Sequence, residues 1–166
     1  GETILVQKQE NNQVLISCGK VVYRIPGISA EDFPLVVFDE SVRMYPMKPQ
    51  VLRDLIRKVY FAMSTDDLRR NLNGVYFETE RQGEGSQVRM VATDGHRLAK
   101  ACTGVEDPDF LALEKGVILP RKGLGEIRKL LEGEDGDVAI AIDSGMCMVK
   151  TANTVLKVSL IDAEYP

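Results

Sequence analysis

Two stretches of this chain, far apart, read alike, and that likeness constrains the fold more than any other feature. Residues 14–25 (VLISCGKVVYRI) can be laid over residues 147–158 (CMVKTANTVLKV). Each is an apolar run, a small or polar turn, and a second apolar run with a basic residue next to its end (Arg24, Lys157). Both lead to an acidic-aromatic-proline ending, Glu31-Asp32-Phe33-Pro34 and Glu164-Tyr165-Pro166, at an offset of about 132 residues with one gap. Self-similarity at a long period is the mark of repeated modules. Residues 1–34 are therefore expected to be the end of one module and residues 35–166 a complete second one. Chance similarity between two β-hairpins is the alternative, and the shared proline ending weighs against it.

Within residues 35–166 a smaller repetition is legible. A strand over 41–47 leads to a helix over 49–63, then to strands near 74–80, 87–93 and 97–103. A strand over 116–119 leads to a second helix over 121–131, followed by strands near 137–142, 146–151 and 154–161. The strands rest on apolar and β-branched runs bounded by Gly, Asn and Asp. Pro49 suits the opening turn of the first helix, where a missing N–H costs nothing. Leu52, Leu55, Ile56, Val59 and Met63 form its apolar stripe. The second helix carries Leu124, Ile127, Leu130 and Leu131 and is expected to end at Gly133. The fold class is α+β: two helices packed on antiparallel sheets in a duplicated β-α-β-β-β arrangement.

Charge sharpens this picture. The chain of 166 residues has a net charge of −4 and 44% apolar residues, enough for a core. An acidic chain does not grip nucleic acid through overall charge. Yet residues 48–63 hold Lys48, Arg53, Arg57 and Lys58 against Asp54 alone, and residues 120–132 hold Arg121, Lys122, Arg128 and Lys129 against Glu126 and Glu132. In both helices the basic residues fall off the apolar stripe. One such helix reads as a solvated face; two in matching positions on an acidic body point to a shared electropositive surface.

Cys18, Cys102 and Cys147 are odd in number, widely spread and without C-x-x-C spacing, so reduced thiols are expected and neither disulfides nor a metal site. No apolar run approaches the ~20 residues of a membrane span. The start, Gly1-Glu2-Thr3-Ile4-Leu5, has neither methionine nor a basic leader region, so a piece of a longer cytoplasmic protein is expected.

The sharpest local motif is V-A-T-D-G-H-R-L-A at residues 91–99. Asp94-Gly95 between two alternating runs is a hairpin signal, in which both central positions can need positive φ. His96 is the only histidine. An enzyme would use it as a general base with Asp94, activating Ser86 or Ser144. Neither serine stands in a nucleophile-elbow context, and exposed or capping histidines are common beside tight turns.

The run ATDGHRLA, the upstream FAMSTDDLRRNLNGVYFE (residues 61–78), the helix opening LPRKG (119–123) and the closing LIDAEYP (160–166) together resemble the second domain of the bacterial DNA sliding clamp, the beta subunit of DNA polymerase III. Residues 1–34, with AEDFP at 30–34, resemble the end of that family's first domain. The resemblance covers essentially the whole chain. It implies a non-catalytic replication processivity factor without cofactors or metals. Three similar domains per subunit would form a head-to-tail dimeric ring, with helices lining the hole and strands forming the outer shell.

Double-stranded DNA would be encircled through backbone contacts that carry no sequence information, with Arg69, Arg70, Asn71, Arg121 and Lys122 as the matching positions. Asn71 stands where some members have an aromatic residue, which puts stacking there in doubt. Linear peptides of DNA polymerases, the clamp loader and repair proteins would enter a pocket shared with the next domain. The matching positions there are Leu72, Thr93, Gly95, His96, Arg97, Leu98 and Pro166. Gly95 would let a peptide backbone approach, Leu72 and Leu98 would be walls or core, and His96 and Arg97 polar rim. Read as a fragment, the chain is expected to be unable to close a ring, and residues 1–34 to form strands with an unpaired edge. A generic nucleic-acid-binding module built on the two basic helices is the alternative.

Overall fold

The computed structural model describes residues 3–33 and 39–166, and the chain divides into two compact units between Asp39 and Glu40. The module boundary expected at 34/35 lies outside the described residues.

The first unit is a three-stranded antiparallel sheet in the order β1 (Leu5–Lys8), β2 (Val14–Cys18), β3 (Val21–Ile25). A two-residue turn joins β2 to β3, with Gly19 at φ 56° in the left-handed region that glycine tolerates. β1 and β3 are both edges, and every residue in them is exposed. Among the described residues this sheet buries no core, and Val6, Val21, Tyr23 and Ile25 are exposed.

In the second unit the duplication expected from the sequence appears as topology. Its halves are β4 (Tyr45–Met47), α1 (Pro49–Val59), β5 (Gly74–Gln82), β6 (Gly85–Thr93), β7 (Leu98–Val105), and β8 (Val117–Pro120), α2 (Arg121–Leu130), β9 (Val138–Asp143), β10 (Met146–Lys150), β11 (Val155–Ser159). Each four-stranded sheet takes three strands from one half and the leading strand from the other: β7-β6-β5-β8 and β11-β10-β9-β4. All pairings are antiparallel, and the exchanged strands tie the halves together. The β2-β3 and β10-β11 hairpins are the two similar stretches; the latter has a longer turn, residues 151–154.

β6 alternates strictly. Ser86, Val88, Met90 and Ala92 point inward, and Gln87, Arg89, Val91 and Thr93 point outward, so one sheet face meets the core and the other faces away. The core is continuous. Leu52, Leu55, Ile56 and Val59 of α1, Leu124 and Ile127 of α2, Phe77 and Met90 of one sheet and Ile140 and Val149 of the other all pack within it. Each large apolar side chain so buried contributes roughly 1.5–3 kcal/mol relative to exposure.

Three expectations need correction. The first helix ends at Val59 rather than Met63: Val59 turns out to φ −118°, and Tyr60–Ala62 tighten into a 3-10 turn that still buries Ala62 and Met63. The strand expected from Ser41 begins at Tyr45. Arg43 is instead held off the sheet by Asp107 at 3.5 Å and by the Tyr45 ring at 4.6 Å. At Asp94-Gly95 the strands close over four residues and only Gly95 has positive φ (91°), because the Asp94 side chain organises the turn from an ordinary backbone conformation. The second helix ends at Leu130 with Leu131 as its cap, and Gly133, expected to end it, lies beyond that cap in the left-handed region at φ 82°.

Candidate nucleic-acid and peptide interface

The two helices lie side by side and antiparallel. Near the start of α1, Arg53 donates to the Leu131 carbonyl at the end of α2 (3.2 Å); at the other end, Tyr60 meets Arg121 at the beginning of α2. The Arg53 bond places a cation on the negative end of α2 and satisfies a carbonyl the helix leaves open. The remaining basic side chains divide by partner. Lys48 pairs with Asp137, Arg57 with Asp54 and Lys129 with Glu126. All three pairs are well exposed, so they restrain little. Lys58, Arg70 and Lys122 are exposed and make no ion pair among the described residues. Arg121 and Arg128 both stand over the Tyr60 ring, at 5.0 and 5.2 Å from its centre.

The start of α2 is sewn to the segment that follows α1. Arg121 N–H donates to the Asn73 carbonyl (3.0 Å), and its guanidinium donates to the Met63 carbonyl (3.4 Å). Between these points the chain makes a tight loop and the 3-10 turn Arg70–Leu72. Ser64 Oγ accepts from Asp66 N–H, Asp66 Oδ1 accepts from Leu68 N–H, and Asn73 donates to Asp67 (2.9 Å). Arg69 leans back toward Asp66 at 3.7 Å.

The loop between β6 and β7 is held as firmly. Asp94 Oδ1 accepts from the backbone N–H groups of His96 (2.9 Å) and Arg97 (3.0 Å), and Oδ2 accepts from Arg97 Nε (3.0 Å). The two N–H donors, and then the guanidinium, hold the Asp94 carboxyl below its usual range. Thr93 Oγ1 accepts from Gly95 N–H and donates to the Arg97 carbonyl (2.7 Å). Asp94 thus faces the His96 backbone and not its ring. Ser86 is buried on β6 and Ser144 donates to Asp143, so neither stands with His96 in a catalytic arrangement.

Loop and turn together frame an open hollow of about 290 Å³, lined by Met63, Ser64, Thr65, Asp66, Arg69, Asp94, His96 and Arg97. Its rim carries exposed apolar groups: Leu98 is 66% exposed, and Phe61, 58% exposed, lies under the Arg97 guanidinium. The C-terminal segment joins the same neighbourhood. Ile161 donates to the Ile118 carbonyl (2.9 Å), Asn71 Nδ2 donates to the Glu164 carbonyl (3.3 Å), and Tyr165 stacks on Tyr76 at 5.2 Å. Burial pushes the Tyr165 hydroxyl up, and the Thr93 backbone offsets part of this.

The structure sorts the residues singled out in the sequence. His96, Arg97 and Arg69 share the hollow, with Gly95 beside Arg69; a Cβ on Gly95 would stand 3.4 Å from Arg69 Nη1. Arg69 therefore groups with Gly95, His96 and Arg97 rather than with Arg70 and Lys122. Thr93 fixes the loop from within, Leu98 is open, and Leu72 is nearly closed to solvent at 9%. Pro166 is exposed at the end of the tail that Asn71 fastens. Arg70 and Lys122 are exposed and uncommitted, whereas Arg121 is half-buried and Asn71 spends its amide on the tail. Sequence reasoning passed over Phe61, Ser64, Asp66, Tyr60 and Tyr165. The first three and Tyr165 lie in stretches that carried the resemblance without being assigned a role there; no periodicity marks any of the five. Among the described residues no cluster of His, Cys, Asp and Glu is placed to hold a metal, and no helix is long and apolar enough to cross a membrane.

Residues 46–166 match the family model of the DNA polymerase III beta subunit, central domain. The beta sliding clamp of Haemophilus influenzae is 35% identical over 157 residues, covering 95% of this chain and 41% of that protein. That of Escherichia coli is 32% identical over 169 residues, covering 100% and 43%. Among solved structures, the DNA polymerase sliding clamp of Caulobacter crescentus superposes with a TM-score of 0.85 at 30% identity, over 100% of this chain and 44% of that one. The sliding clamp of Bartonella birtlesii, solved bound to griselimycin, gives 0.84 at 32%, over 100% and 44%. The chain spans about two fifths of the length of the curated relatives it matches. With its duplicated β-α-β-β-β unit matched over residues 46–166, the chain belongs to the DNA polymerase III beta subunit family.

Proposed function

We propose that this chain is part of a DNA sliding clamp subunit, a processivity factor without chemistry of its own that acts in the cytoplasm of a bacterium. Residues 1–34 are the end of one clamp domain and residues 35–166 a complete middle domain. The observation that carries this reading is the antiparallel helix layer, whose exposed basic residues sit on an otherwise acidic unit. In a ring of such domains the layer lies toward duplex DNA. Its contacts go to phosphates, and a chain held by encirclement needs them to be weak. The hollow at Met63–Arg69 and Asp94–Arg97, with Leu98 and the Pro166 tail, is this domain's share of a site for linear peptides of polymerases, the clamp loader and repair proteins.

Retention on DNA tests the reading. At physiological salt the chain alone is expected to bind linear duplex barely measurably, its phosphate contacts showing only as salt is lowered. Extended through the rest of its subunit and loaded on circular duplex, it is expected to stay bound until the circle is cut. Tight, salt-sensitive binding of linear duplex by the chain alone would instead favour a generic nucleic-acid-binding module.

A further inference from the structure

Arg121 and Arg128 are seven residues apart on α2, two turns, and so share one face of it. Gly125 lies between them on that face, four residues after one and three before the other. The absence of a side chain there leaves a gap, and Tyr60 of the neighbouring turn fills it. A Cβ on Gly125 would come within 3.3 Å of the Tyr60 hydroxyl oxygen. Both guanidiniums lie over the Tyr60 ring, Arg121 at 5.0 Å and Arg128 at 5.2 Å from its centre, so their carbons are at most about 10 Å apart.

Two like charges gathered on one ring repel each other, and nothing in the described residues neutralises them. Arg121 has only the Met63 carbonyl besides the ring, and Arg128 has the ring alone. The nearest acid on the helix, Glu126, is taken by Lys129 at 2.9 Å. An aromatic face attracts and orients a guanidinium while leaving its N–H donors free, which a carboxylate partner would not do. Such a pair lacks an anion with several acceptor oxygens. A separation within about 10 Å lets the two guanidiniums reach neighbouring phosphates of one DNA strand, whose charges follow one another at about 3.4 Å of rise along the helix axis.

We propose that Tyr60 and Gly125 form a bracket that holds Arg121 and Arg128 as a paired grip on the phosphodiester backbone of duplex DNA. Tyr60 is a positioning residue: it carries no charge to the phosphates but fixes the two residues that do. The proposal rests on the reading that the helix layer faces DNA, and it goes further by assigning the contact to one ring and two arginines.

The test titrates a 16-base-pair duplex into this chain at low salt. It follows the backbone amides of α1 and α2 and the Arg121 and Arg128 Nε–H signals by NMR, for wild type, Tyr60→Phe, Tyr60→Leu, Gly125→Val and Arg128→Ala. Thermal melts run alongside, so a loss of binding counts only where the fold is intact. Expected are shifts at both Nε–H signals in wild type and their preservation in Tyr60→Phe, which keeps the ring. Tyr60→Leu and Gly125→Val should weaken binding three- to tenfold with the arginine signals averaged. Should Tyr60→Leu fail to fold, Gly125→Val and the exposed Arg128→Ala carry the same comparison. If duplex shifts the helix amides while the bracket variants bind as wild type does, the bracket is overturned and the DNA-facing reading stands. If wild-type helix amides do not respond at all, the DNA-facing reading itself fails. An equal response to a polyglutamate peptide of matched charge would also overturn the proposal, since the grip would then be a general anion site.

Discussion

The helix α2 offers a prediction whose sign the structure decides. It contains two glycines, Gly123 and Gly125. In an isolated helix, replacing either with alanine should stabilise by roughly 0.5–1 kcal/mol, because glycine loses more backbone freedom on folding. At Gly123 an added Cβ would lie 2.2 Å from Val158 Cγ1 and 3.3 Å from the Pro120 ring. Ordinary carbon contacts are about 3.5–4.0 Å, so the overlap exceeds an ångström. Val158 cannot swing aside easily: it is β-branched, stiff about χ1 and only 8% exposed. Overpacking of this kind costs about 1–3 kcal/mol against that gain, leaving Gly123→Ala destabilised by roughly 1 kcal/mol and by no more than about 2.5 kcal/mol.

At Gly125 the one close atom is the Tyr60 hydroxyl oxygen at 3.3 Å, the far end of a half-buried ring. Gly125→Ala is therefore expected within about 0.5 kcal/mol of wild type. Urea melts followed by helical circular dichroism would measure both, and for a unit of this size each kcal/mol moves Tm by roughly 3–5 °C. A Gly123→Ala variant as stable as Gly125→Ala, or more so, would refute the claim that α2 is packed directly on β11 through a missing side chain.

Other consequences follow from single residues. The Asp94 carboxyl, held below its ordinary 3.8 by the His96 and Arg97 N–H groups, stabilises its loop above the unfolded pKa; that contribution is lost as pH falls through the folded value. Carboxyl-carbon NMR should place its midpoint below 3.8, with His96 and Arg97 amide shifts moving together; a midpoint at or above 3.8 contradicts the turn geometry. Burial pushes the Cys147 thiol up to about 12, whereas Cys102 is exposed. In the folded chain a thiol reagent at neutral pH should modify Cys102 and spare Cys147 until denaturant is added. Asn71→Ala removes the bond to the Glu164 carbonyl. Hydrogen exchange over residues 162–166 should quicken while global stability changes by no more than about 1 kcal/mol; unchanged exchange would show that the Asn71 bond does not fasten the tail.

Much of the fold was legible because it rests on period and punctuation. The stripe of Leu52, Leu55, Ile56 and Val59 is buried as its spacing required, whereas α2 stops at Leu130, short of the Gly133 that marked its end in the sequence. The duplicated order of elements was readable too, but not the exchange of β4 and β8 between sheets, which depends on contacts between distant halves. Local rules failed where side chains override them. Asp94 builds its turn through its carboxylate rather than through its own backbone angles, and the run Val59-Tyr60-Phe61 leaves the helix to bury Ala62 and Met63. In the candidate site, glycine and histidine at 95 and 96 advertised themselves, whereas Tyr60 did not. Its role comes from facing Gly125, a relation across 65 positions that no local pattern records.

The proposed function requires one layer of basic helices to meet duplex DNA while the sheets face away from it. Mapping amide shifts of this chain with a short duplex at low salt tests this most directly. Responses should gather on residues 53–60 and 121–129 and fade as salt rises, with Gln87, Arg89 and Val91 on the outward face of β6 unmoved. Shifts centred on that outward face, with the helices silent, would contradict it.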